Sequence, residues 1–284
     1  MEAKGLKLAA ISYDPPEILA AFSKQRGITF PLLSDAGSAT IKRYGILNTV
    51  PDEALGPEKD DPAVKAAVET YVSVLSVNPR MVGMAFPGTF ILDRRGRVTS
   101  RFFEDFYFER NTTSSLMLKL DAGAVPVAAT KISTAHLDMT TYASDPAVAP
   151  GNRFTLAMSI VPKPGMHVYA PGASNYRVAT VTITAQPFVR ILPMRYPAPA
   201  TYFFAPLNER VPVYQKPLTL LQEVVLEETP QAQAALKGKD SITLTGTFDY
   251  QACDDTICFN PASVPLSWSL ALRPILREPA TPPR

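Results

Sequence analysis

The stretch SITLTGTFDYQACDDTIC, residues 241–258, decides the fold of the second half of the chain and contains both of its cysteines. Apart from Gly246, every second side chain in its first half is apolar: Ile242, Leu244, Phe248 and Tyr250. The positions between them are threonine or aspartate, and this period of two residues predicts a β-strand with one buried face. The cysteines follow directly, so the sequence places them where that strand turns.

The same alternation recurs on both sides of this stretch. Residues 154–161 and 264–272 alternate apolar with small or polar side chains, and turns rich in proline and glycine separate such segments. Several short strands of this kind predict an all-β antiparallel sandwich over residues 135–273, interrupted by one short helix near residues 229–236. Many of the 28 prolines lie in this half and in the tail, residues 274–284, which is predicted to be disordered.

Residues 1–122 show a different, α/β pattern. A continuous apolar run at residues 6–13 predicts a buried parallel strand. Asp14 as the N-cap and Pro15 at the first helical position predict a helix that ends before Gly27. Strand, helix and strand in this order are typical of an α/β domain.

The remaining elements of this half follow from the same signals. We predict a strand at residues 30–33, a short helix at 39–44 and a loop at 48–60. A longer helix is predicted from residue 61 onward, a β-hairpin at 88–103 and a closing helix at 114–120. Residues 123–134 have no clear period and are predicted to be a linker between the two domains.

Length and composition exclude several classes of protein. With 284 residues, two domains are expected. A formal net charge of +2 and the lack of a basic stripe argue against nucleic-acid binding. No apolar run is long enough to span a membrane, no signal peptide is visible after Met1, and no motif of a serine hydrolase, zinc peptidase or P-loop enzyme occurs.

The two cysteines, Cys253 and Cys258, have four residues between them at a strand-to-turn corner, a spacing that brings two Cα atoms within disulfide range. Closing so short a loop stabilises a fold by only about 2 kcal/mol, so redox exchange explains the pair better than stapling does. A structural disulfide is the alternative. A zinc site is a weaker one, because His136 and His167 are distant in the sequence.

The spacer between the cysteines is acidic. Asp254 and Asp255 place negative charge beside the thiols and disfavour the thiolate. Neither cysteine therefore resembles a nucleophile that attacks peroxide. A disulfide that accepts attack from a partner's thiolate fits this environment better, so the pair is interpreted as an electron relay.

The segments YQACDDTICFNP (250–261) and PGMHVYAPG (164–172) resemble the N-terminal domain of the thiol:disulfide interchange protein DsbD, over about residues 135–272. The resemblance implies an immunoglobulin-like sandwich that passes reducing equivalents between periplasmic thiol partners through Cys253 and Cys258. The best-known member has five residues between its cysteines, whereas this chain has four.

The same resemblance implies which side chains surround the cysteine pair. Tyr169 is expected to pack near the sulfurs, and an aromatic cap loop is expected at Tyr202, Phe203 and Phe204. For each of them an ordinary half-buried aromatic residue is the alternative. His167 precedes Tyr169 in the same motif and is interpreted as a structural histidine rather than one that tunes a thiol.

The first half, with LKLAAISYDPPEILAAFSKQRGITFPLLSD (6–35) and FPGTFILDRRGRV (86–98), resembles the peroxiredoxin (AhpC/TSA) family of the thioredoxin fold over about residues 3–120. The resemblance implies a cis proline at Pro87, which would leave a backbone amide and carbonyl free to align a thiol substrate. A trans proline at the start of an edge strand is the alternative.

The catalytic cysteine of that family lies on the helix before the strand that is here residues 6–13. No cysteine precedes Cys253 in this chain, so no peroxidatic residue is carried over. The thioredoxin-like domain is therefore expected to be incomplete at its N-terminus, with Met1 an internal or misassigned start.

Together these features predict a thiol–disulfide redox protein: a peroxiredoxin-like antioxidant module fused to a DsbD-like disulfide relay, with no cofactor. Its expected partner is a thiol–disulfide redox protein, and its full-length parent is expected to reduce peroxides or protein disulfides. The alternative is an interaction module with a structural disulfide and no catalysis. Analogy favours the periplasm or cell envelope, and the missing leader leaves the cytoplasm open.

Residues 1–122 expressed alone are expected to be poorly stable, because without the first β-α-β unit of the family the strand at residues 6–13 lacks the neighbours that would cover it. Thermal and urea denaturation followed by circular dichroism should show a broad loss of structure without a cooperative transition. A sharp transition that coincides between two spectroscopic probes would contradict this expectation.

Overall fold

The computed structural model describes residues 5–72, 77–103, 109–120, 127–205 and 208–274. They form two compact units, one made of the described residues up to Phe103 and the other of those from Glu109 onward. The predicted tail therefore lies, apart from Pro274, outside the described residues, as does the first part of the predicted linker.

The first unit is α/β. Its elements are β1 (Ala10–Ser12), α1 (Pro16–Arg26), β2 (Leu32–Ser34), α2 (Ala39–Arg43), α3 (Val50–Leu55), α4 (Pro62–Val72), β3 (Gly88–Leu92) and β4 (Val98–Phe103). Strands β1 and β2 pair in parallel with α1 between them, and β3 and β4 form an antiparallel hairpin. The predicted β-α-β order and the predicted hairpin are both confirmed.

Helix boundaries differ from the prediction at two places. Pro15, not Asp14, is the N-cap of α1 and makes no side-chain capping bond, while Asp14 accepts a hydrogen bond from the Ser12 hydroxyl. Helix α3 forms inside the predicted loop, where the Asn48 side chain accepts a hydrogen bond from the amide of Val50. At Gly27, a left-handed φ of 61° ends α1 as predicted.

The prediction of a cis bond at Pro87 is wrong, because all peptide bonds among the described residues are trans. The chain before Pro87 is held extended by its neighbours. The amide of Phe86 donates to the carbonyl of Ile46 at 2.7 Å, and Ala85 bridges to Leu47. The proline then leads directly into β3, as in the trans alternative.

Strand β1 is not buried, contrary to the prediction from its apolar run. Ile11 is 47% exposed, and Leu33 on the paired strand is equally open. The physical reason is that among the described residues β1 belongs to a sheet of only two strands, which is too small to bury the side chains on its faces. Buried side chains in this unit are few among those described and include Leu19, Ile41 and Met84.

The second unit is built almost entirely of strands. They are β5 (Arg110–Asn111), β6 (Val127–Ser133), β7 (Leu137–Ala143), β8 (Ala147–Val148), β9 (Asn152–Pro162), β10 (His167–Tyr169), β11 (Thr180–Ile183), β12 (Val189–Ile191), β13 (Ala200–Phe204), β14 (Glu209–Tyr214), β15 (Leu218–Leu226), β16 (Ser241–Tyr250), β17 (Ala252–Cys253) and β18 (Ala262–Leu272). Two helices accompany them, α5 (Thr113–Lys119) and α6 (Pro230–Leu236).

Two of the sheets enclose the main core. Their strand orders are β12-β15-β9-β7-β6, with β5 beside β9, and β11-β16-β18-β8. Apolar side chains of both sheets belong to one buried cluster: Phe154, Leu156, Met158 and Ile160 from β9, and Leu244, Phe248, Leu266 and Trp268 from β16 and β18. The alternation that predicted these strands is therefore confirmed. A third sheet, in the order β13-β14-β10-β17, carries the cysteine pair.

The segment between the two predicted domains needs correction. Residues 127–133, predicted as linker, form β6 and pair with β7, so backbone hydrogen bonds make them part of the sandwich. Helix α5 is confirmed as a helix, but it lies in the second unit rather than closing the first, and it packs on β9. Its Ser115 hydroxyl lies 2.7 Å from that of Thr155.

Charged side chains also tie this segment to the sandwich. Glu223 on β15 pairs with Lys119 of α5 and, at 3.1 Å, with Arg153 of β9. Burial acts to raise the pKa of Glu223, but hydrogen bonds from Arg153 and Lys119 outweigh it and lower that pKa. Removing the charge of Lys119 or of Arg153 would leave the largely buried Glu223 carboxylate with fewer favourable interactions to offset its desolvation.

Truncating Leu116 of α5 to alanine should destabilise the sandwich. Leu116 is buried, and Leu→Ala changes at such sites cost about 2–5 kcal/mol. Trp268 is the only tryptophan of the chain and lies in the sandwich core, so its fluorescence during urea unfolding reports on this unit. Val161→Ala, at an exposed position on β9, is the matched control. An unchanged Trp268 transition in Leu116→Ala would contradict the assignment of α5 to the sandwich.

Candidate redox site

Cys253 and Cys258 lie opposite each other across a tight hairpin and form a disulfide with a Cα–Cα distance of 4.1 Å. Two backbone hydrogen bonds flank the pair. The amide of Phe259 donates to the carbonyl of Ala252 at 2.9 Å, and the amide of Asp254 donates to the carbonyl of Ile257 at 3.0 Å. The four-residue spacing therefore does what the sequence predicted, because it places the two Cβ atoms on the same side of the hairpin.

Asp254 shapes the turn. Its Oδ1 accepts hydrogen bonds from the amide of Thr256 (2.7 Å), the hydroxyl of Thr256 (2.7 Å) and the amide of Ile257 (2.8 Å). The bond from the Ile257 amide, followed by those from Thr256, lowers the pKa of this carboxyl below its ordinary range. The first acidic residue of the spacer is thus an ionised part of the turn as well as a charge beside the sulfurs.

The two sulfurs differ in access. Cys253 is 1% exposed and packs with Tyr169, Val211 and Val213 in a small cluster of its own, whereas Cys258 is exposed. Of the two sulfur-bearing residues, Cys258 is therefore the one open to solvent.

Tyr169 lies directly against both sulfurs, as the resemblance implied. Strand β10 pairs with β17 on one side and β14 on the other, which places Tyr169 beside the hairpin. Its hydroxyl lies 3.0 Å from Cys253 Sγ and 3.4 Å from Cys258 Sγ. Burial, followed by the neighbouring Tyr176, raises the pKa of Tyr169, so its hydroxyl remains a neutral donor.

Tyr176 and Glu209 were not among the predicted site residues. The Tyr176 ring stacks on Tyr169 with a centroid distance of 3.9 Å, and its hydroxyl donates to Glu209 Oε2 at 2.7 Å. That hydrogen bond is the main reason why the pKa of Tyr176 is raised. Tyr176 lies in the loop after β10 and Glu209 begins β14, so no periodicity in the sequence connects them.

The three aromatic residues of the predicted cap loop lie on β13, and only some of them face the cysteine pair. The Tyr202 hydroxyl donates to Asp255 Oδ1 at 2.8 Å, and its ring lies 4.4 Å from that of His167. Phe203 is 45% exposed, on the opposite face of the strand, with Arg210 over its ring. Phe204 is buried. Of the three, Tyr202 is the one that packs against the cluster containing Cys253.

His167 is buried beside the cysteine hairpin, in register with Cys253. Its ring contacts Tyr202 and stands edge-on to Tyr169. Burial lowers the pKa of His167, although the charges of Asp255 and Asp254 act in the opposite direction. These contacts place His167 beside the cysteine pair, and its structural role stays a prediction.

The described residues offer no candidate for a metal site or for a membrane-spanning helix. No group of three His, Cys, Asp or Glu side chains there has the arrangement of a metal site. Among the same residues, no helix combines the length and the apolar character needed to cross a membrane. Pro87, the predicted contact for a thiol substrate, lies in the first unit.

Comparisons with known families assign both halves of the chain. Residues 1–101 match the model of the AhpC/TSA family, and residues 137–264 match the model of the N-terminal domain of thiol:disulfide interchange protein DsbD. The first unit is therefore a thioredoxin-like domain of the AhpC/TSA type, and the second contains a DsbD N-terminal domain. No curated protein sequence matches the chain.

Two solved structures show a weak likeness to part of the chain. The N-terminal periplasmic domain of ScsB from Proteus mirabilis is 13% identical with a TM-score of 0.35, and the match covers 51% of each chain. The GAE domain of GGA2p from Saccharomyces cerevisiae is 5% identical with a TM-score of 0.27, and the match covers 49% of this chain and 96% of that one. This chain thus spans about half of the ScsB domain. At these TM-scores neither likeness bears on function.

The two family assignments support a thiol–disulfide redox role. A domain of the DsbD type also implies a redox partner that exchanges thiols and disulfides with it. The disulfide between Cys253 and Cys258 uses both cysteines of the sequence.

The stability of the sandwich should depend on pH through His167. Because burial holds the folded-state pKa of His167 below the ordinary value of 6.5, the unfolded chain binds the proton more readily. The free energy of unfolding should therefore be highest above pH 6.5 and should decrease as the pH falls through it. His167→Gln should show a smaller decrease between pH 7.5 and pH 5, measured by urea unfolding with Trp268 fluorescence. Equal pH dependence in wild type and His167→Gln would contradict the prediction.

Proposed function

We propose that this chain is a thiol–disulfide redox protein whose second unit works as an electron relay through Cys253 and Cys258. The observation that carries the proposal is the unequal access of the two sulfurs, with Cys258 open to a partner and Cys253 held under Tyr169. A relay needs one sulfur that a partner reaches and one that closes or opens the bond from within. The hairpin supplies both.

The reduction step starts with a partner's thiolate. It attacks Cys258 Sγ, the bond between Cys258 and Cys253 breaks, and the electron pair leaves on Cys253 Sγ. A second thiolate of the partner then attacks its own sulfur in the mixed disulfide and releases Cys258 as a thiolate. The partner becomes a disulfide and the relay becomes a dithiol, so two electrons have moved.

The electrostatics of the hairpin support the role of acceptor. Asp254 is ionised and Asp255 lies in the same turn, so negative charge stands near the exposed sulfur. Such charge disfavours a thiolate at Cys258 and argues against a cysteine that attacks peroxide. A disulfide that is reduced by a partner is attacked by the partner's thiolate, so the relay itself does not require a stabilised thiolate at Cys258.

The family of the AhpC/TSA domain, and not a reactive cysteine of its own, connects this domain with redox chemistry. The printed chain contains no cysteine in residues 1–252, so reduction of peroxide needs a thiol from another source. The antioxidant part of the proposal is therefore an exchange of electrons between the relay and a partner that carries the reactive cysteine. A periplasmic or cell-envelope location is proposed from the DsbD-type domain, since disulfides persist in such compartments.

A structural disulfide in a non-catalytic interaction module is the second candidate. The burial of Cys253 in the cluster with Tyr169, Val211 and Val213 favours it, because a buried sulfur is slow to exchange. The reduction potential separates the two functions. A value below about −300 mV would indicate a structural bridge, whereas a relay needs a value closer to those of its partners.

Single cysteine variants should trap a partner asymmetrically. Cys253→Ser leaves the exposed Cys258 free to form a mixed disulfide with an oxidised thioredoxin-type protein, whereas Cys258→Ser leaves the buried Cys253. We expect mixed disulfide to accumulate at least about tenfold faster in Cys253→Ser, measured by non-reducing electrophoresis after acid quenching. The double variant is the control. Equal trapping by both single variants, or a wild-type disulfide inert to thioredoxin-type reductants, would contradict the relay.

A further inference from the structure

The Tyr169 hydroxyl is set against the disulfide bond itself. Its oxygen lies 3.0 Å from Cys253 Sγ and 3.4 Å from Cys258 Sγ. A sulfur in a disulfide carries no hydrogen, so the hydroxyl is the donor in both contacts. A tyrosine side chain that is 2% exposed thus directs its one hydroxyl hydrogen at the two atoms between which the bond breaks.

This hydrogen bond is weak while the disulfide is closed and strengthens when it opens. A neutral sulfur is a weak acceptor, whereas hydrogen bonds to ionised groups are about twice as strong as those between neutral groups. In the reduction step proposed above, Cys253 Sγ receives the electron pair of the broken bond. The contact with Tyr169 is therefore stronger in the transition state than in the ground state, which is the condition for an interaction to accelerate a reaction.

The surroundings of Cys253 otherwise disfavour a charge on its sulfur. Cys253 is 1% exposed and packs with Val211 and Val213, and burial of this kind disfavours a thiolate. The acidic turn adds the negative charge of Asp254. Among the described residues, Tyr169 is the only side chain that makes a hydrogen bond to Cys253 Sγ. The hydroxyl is thus the group that offsets the burial of this sulfur.

Several titratable groups lie around Tyr169 and the pair: His167 on β10, Tyr202 on β13, Glu209 on β14, Tyr176 in the loop after β10, and Asp254 and Asp255 in the turn. The two other tyrosines use their hydroxyl hydrogens on carboxylates, Tyr202 on Asp255 and Tyr176 on Glu209. Burial lowers the pKa of His167, so above pH 6.5 this ring brings no positive charge to the sulfurs. None of these groups replaces Tyr169 as a donor.

Packing holds the Tyr169 ring in the position that this role requires. Tyr169 pairs with Val213 of β14, and its strand pairs on the other side with β17, which contains Cys253. The Tyr176 ring stacks on it with a centroid distance of 3.9 Å and an interplanar angle of 13°. A donor that is held in place before the reaction needs no reorganisation when the charge develops.

We propose that the Tyr169 hydroxyl is a catalytic hydrogen-bond donor that stabilises the negative charge of Cys253 Sγ when the disulfide opens. The proposal rests on the relay function proposed above and adds the group that acts on its leaving sulfur. The partner attacks the exposed Cys258, and Tyr169 acts on the buried sulfur at the other end of the same bond.

The step moves one electron pair and no proton through Tyr169. The partner's thiolate forms a bond with Cys258 Sγ, the bond between Cys258 and Cys253 breaks, and the electron pair stays on Cys253 Sγ. The hydroxyl keeps its proton, because burial raises the pKa of Tyr169 and a phenol is already a weaker acid than a thiol. Tyr169 therefore returns unchanged to the next cycle.

Removing the hydroxyl while keeping the ring tests the donor. Tyr169→Phe does this, and Tyr214→Phe is the matched control, because Tyr214 is a buried tyrosine of the same sheet whose hydroxyl donates to the Pro197 carbonyl. The oxidised proteins are mixed with excess dithiothreitol at pH 7, quenched with acid and labelled with a maleimide that shifts each free thiol on a gel. Tyr169→Phe should be reduced more slowly than wild type by about tenfold or more, and Tyr214→Phe at the wild-type rate.

The acidity of Cys253 separates donation from packing. In a Cys258→Ala background, the rate at which iodoacetamide alkylates Cys253 is followed against pH, and the midpoint gives the pKa of the thiol. A donor to the thiolate lowers this pKa, so adding Tyr169→Phe should raise the midpoint by about one pH unit, which corresponds to the tenfold change in rate. Adding Tyr214→Phe should leave the midpoint unchanged. Altered access alone would change the rate at every pH without moving the midpoint.

The outcomes distinguish the donor from the relay. A wild-type disulfide that is inert to a reduced thioredoxin-type protein would overturn the relay and, with it, the catalytic role of Tyr169. If that protein reduces wild type, but Tyr169→Phe matches wild type in both rate and midpoint, the relay stands and the donor is overturned. If Tyr169→Phe is slower with an unchanged midpoint, or is slowed no more than Tyr214→Phe, Tyr169 only packs and the donor is again overturned. Trp268 fluorescence verifies that each variant is folded.

Discussion

The pairing of β16 with β18 is the interaction on which the redox site depends. The two strands pair along the whole of β16, which is 10 residues long, from Ser241 to Tyr250. Their inward side chains lie in the main core, so the ends of both strands are held by backbone hydrogen bonds and by burial together. The chain between these ends contains both cysteines, and it starts and finishes at fixed positions. A hairpin held in this way brings the two sulfurs together.

The second constraint is the small third sheet, in which β10 lies between β14 and β17. It places Tyr169 against the sulfurs and aligns Glu209 and Tyr202 from neighbouring strands around the same point. The result is a polar cluster around a largely apolar floor made by Val211 and Val213. Hydroxyl groups here have defined acceptors, which keeps polar atoms satisfied where water is excluded. The site thereby combines a buried sulfur, an exposed sulfur and a set of neutral donors.

The sequence predicted those features that depend on local spacing. Alternation in residues 154–161, 241–250 and 264–272 predicted strands β9, β16 and β18, and the four-residue spacer predicted the disulfide. Predictions about features that depend on residues far apart in the sequence were less successful. The extended chain before Pro87, with its trans bond, is held by hydrogen bonds to residues 46–48. The exposure of β1 depends on its place in a sheet of two strands. The placement of α5 on β9 depends on side chains that are distant in the sequence, such as Ser115 and Thr155.

The sequence by itself determined the two fold classes and the presence of a single cysteine pair in an acidic turn, because period, spacing and residue type are local properties. Only the tertiary structure decided which sulfur is reachable, and which side chains surround the other. Burial of Cys253 and exposure of Cys258 arise from the strands that cover one side of the hairpin. The contacts among Tyr169, Tyr176 and Glu209 join β10, the loop after it and β14, and no pattern along the chain encodes their distances.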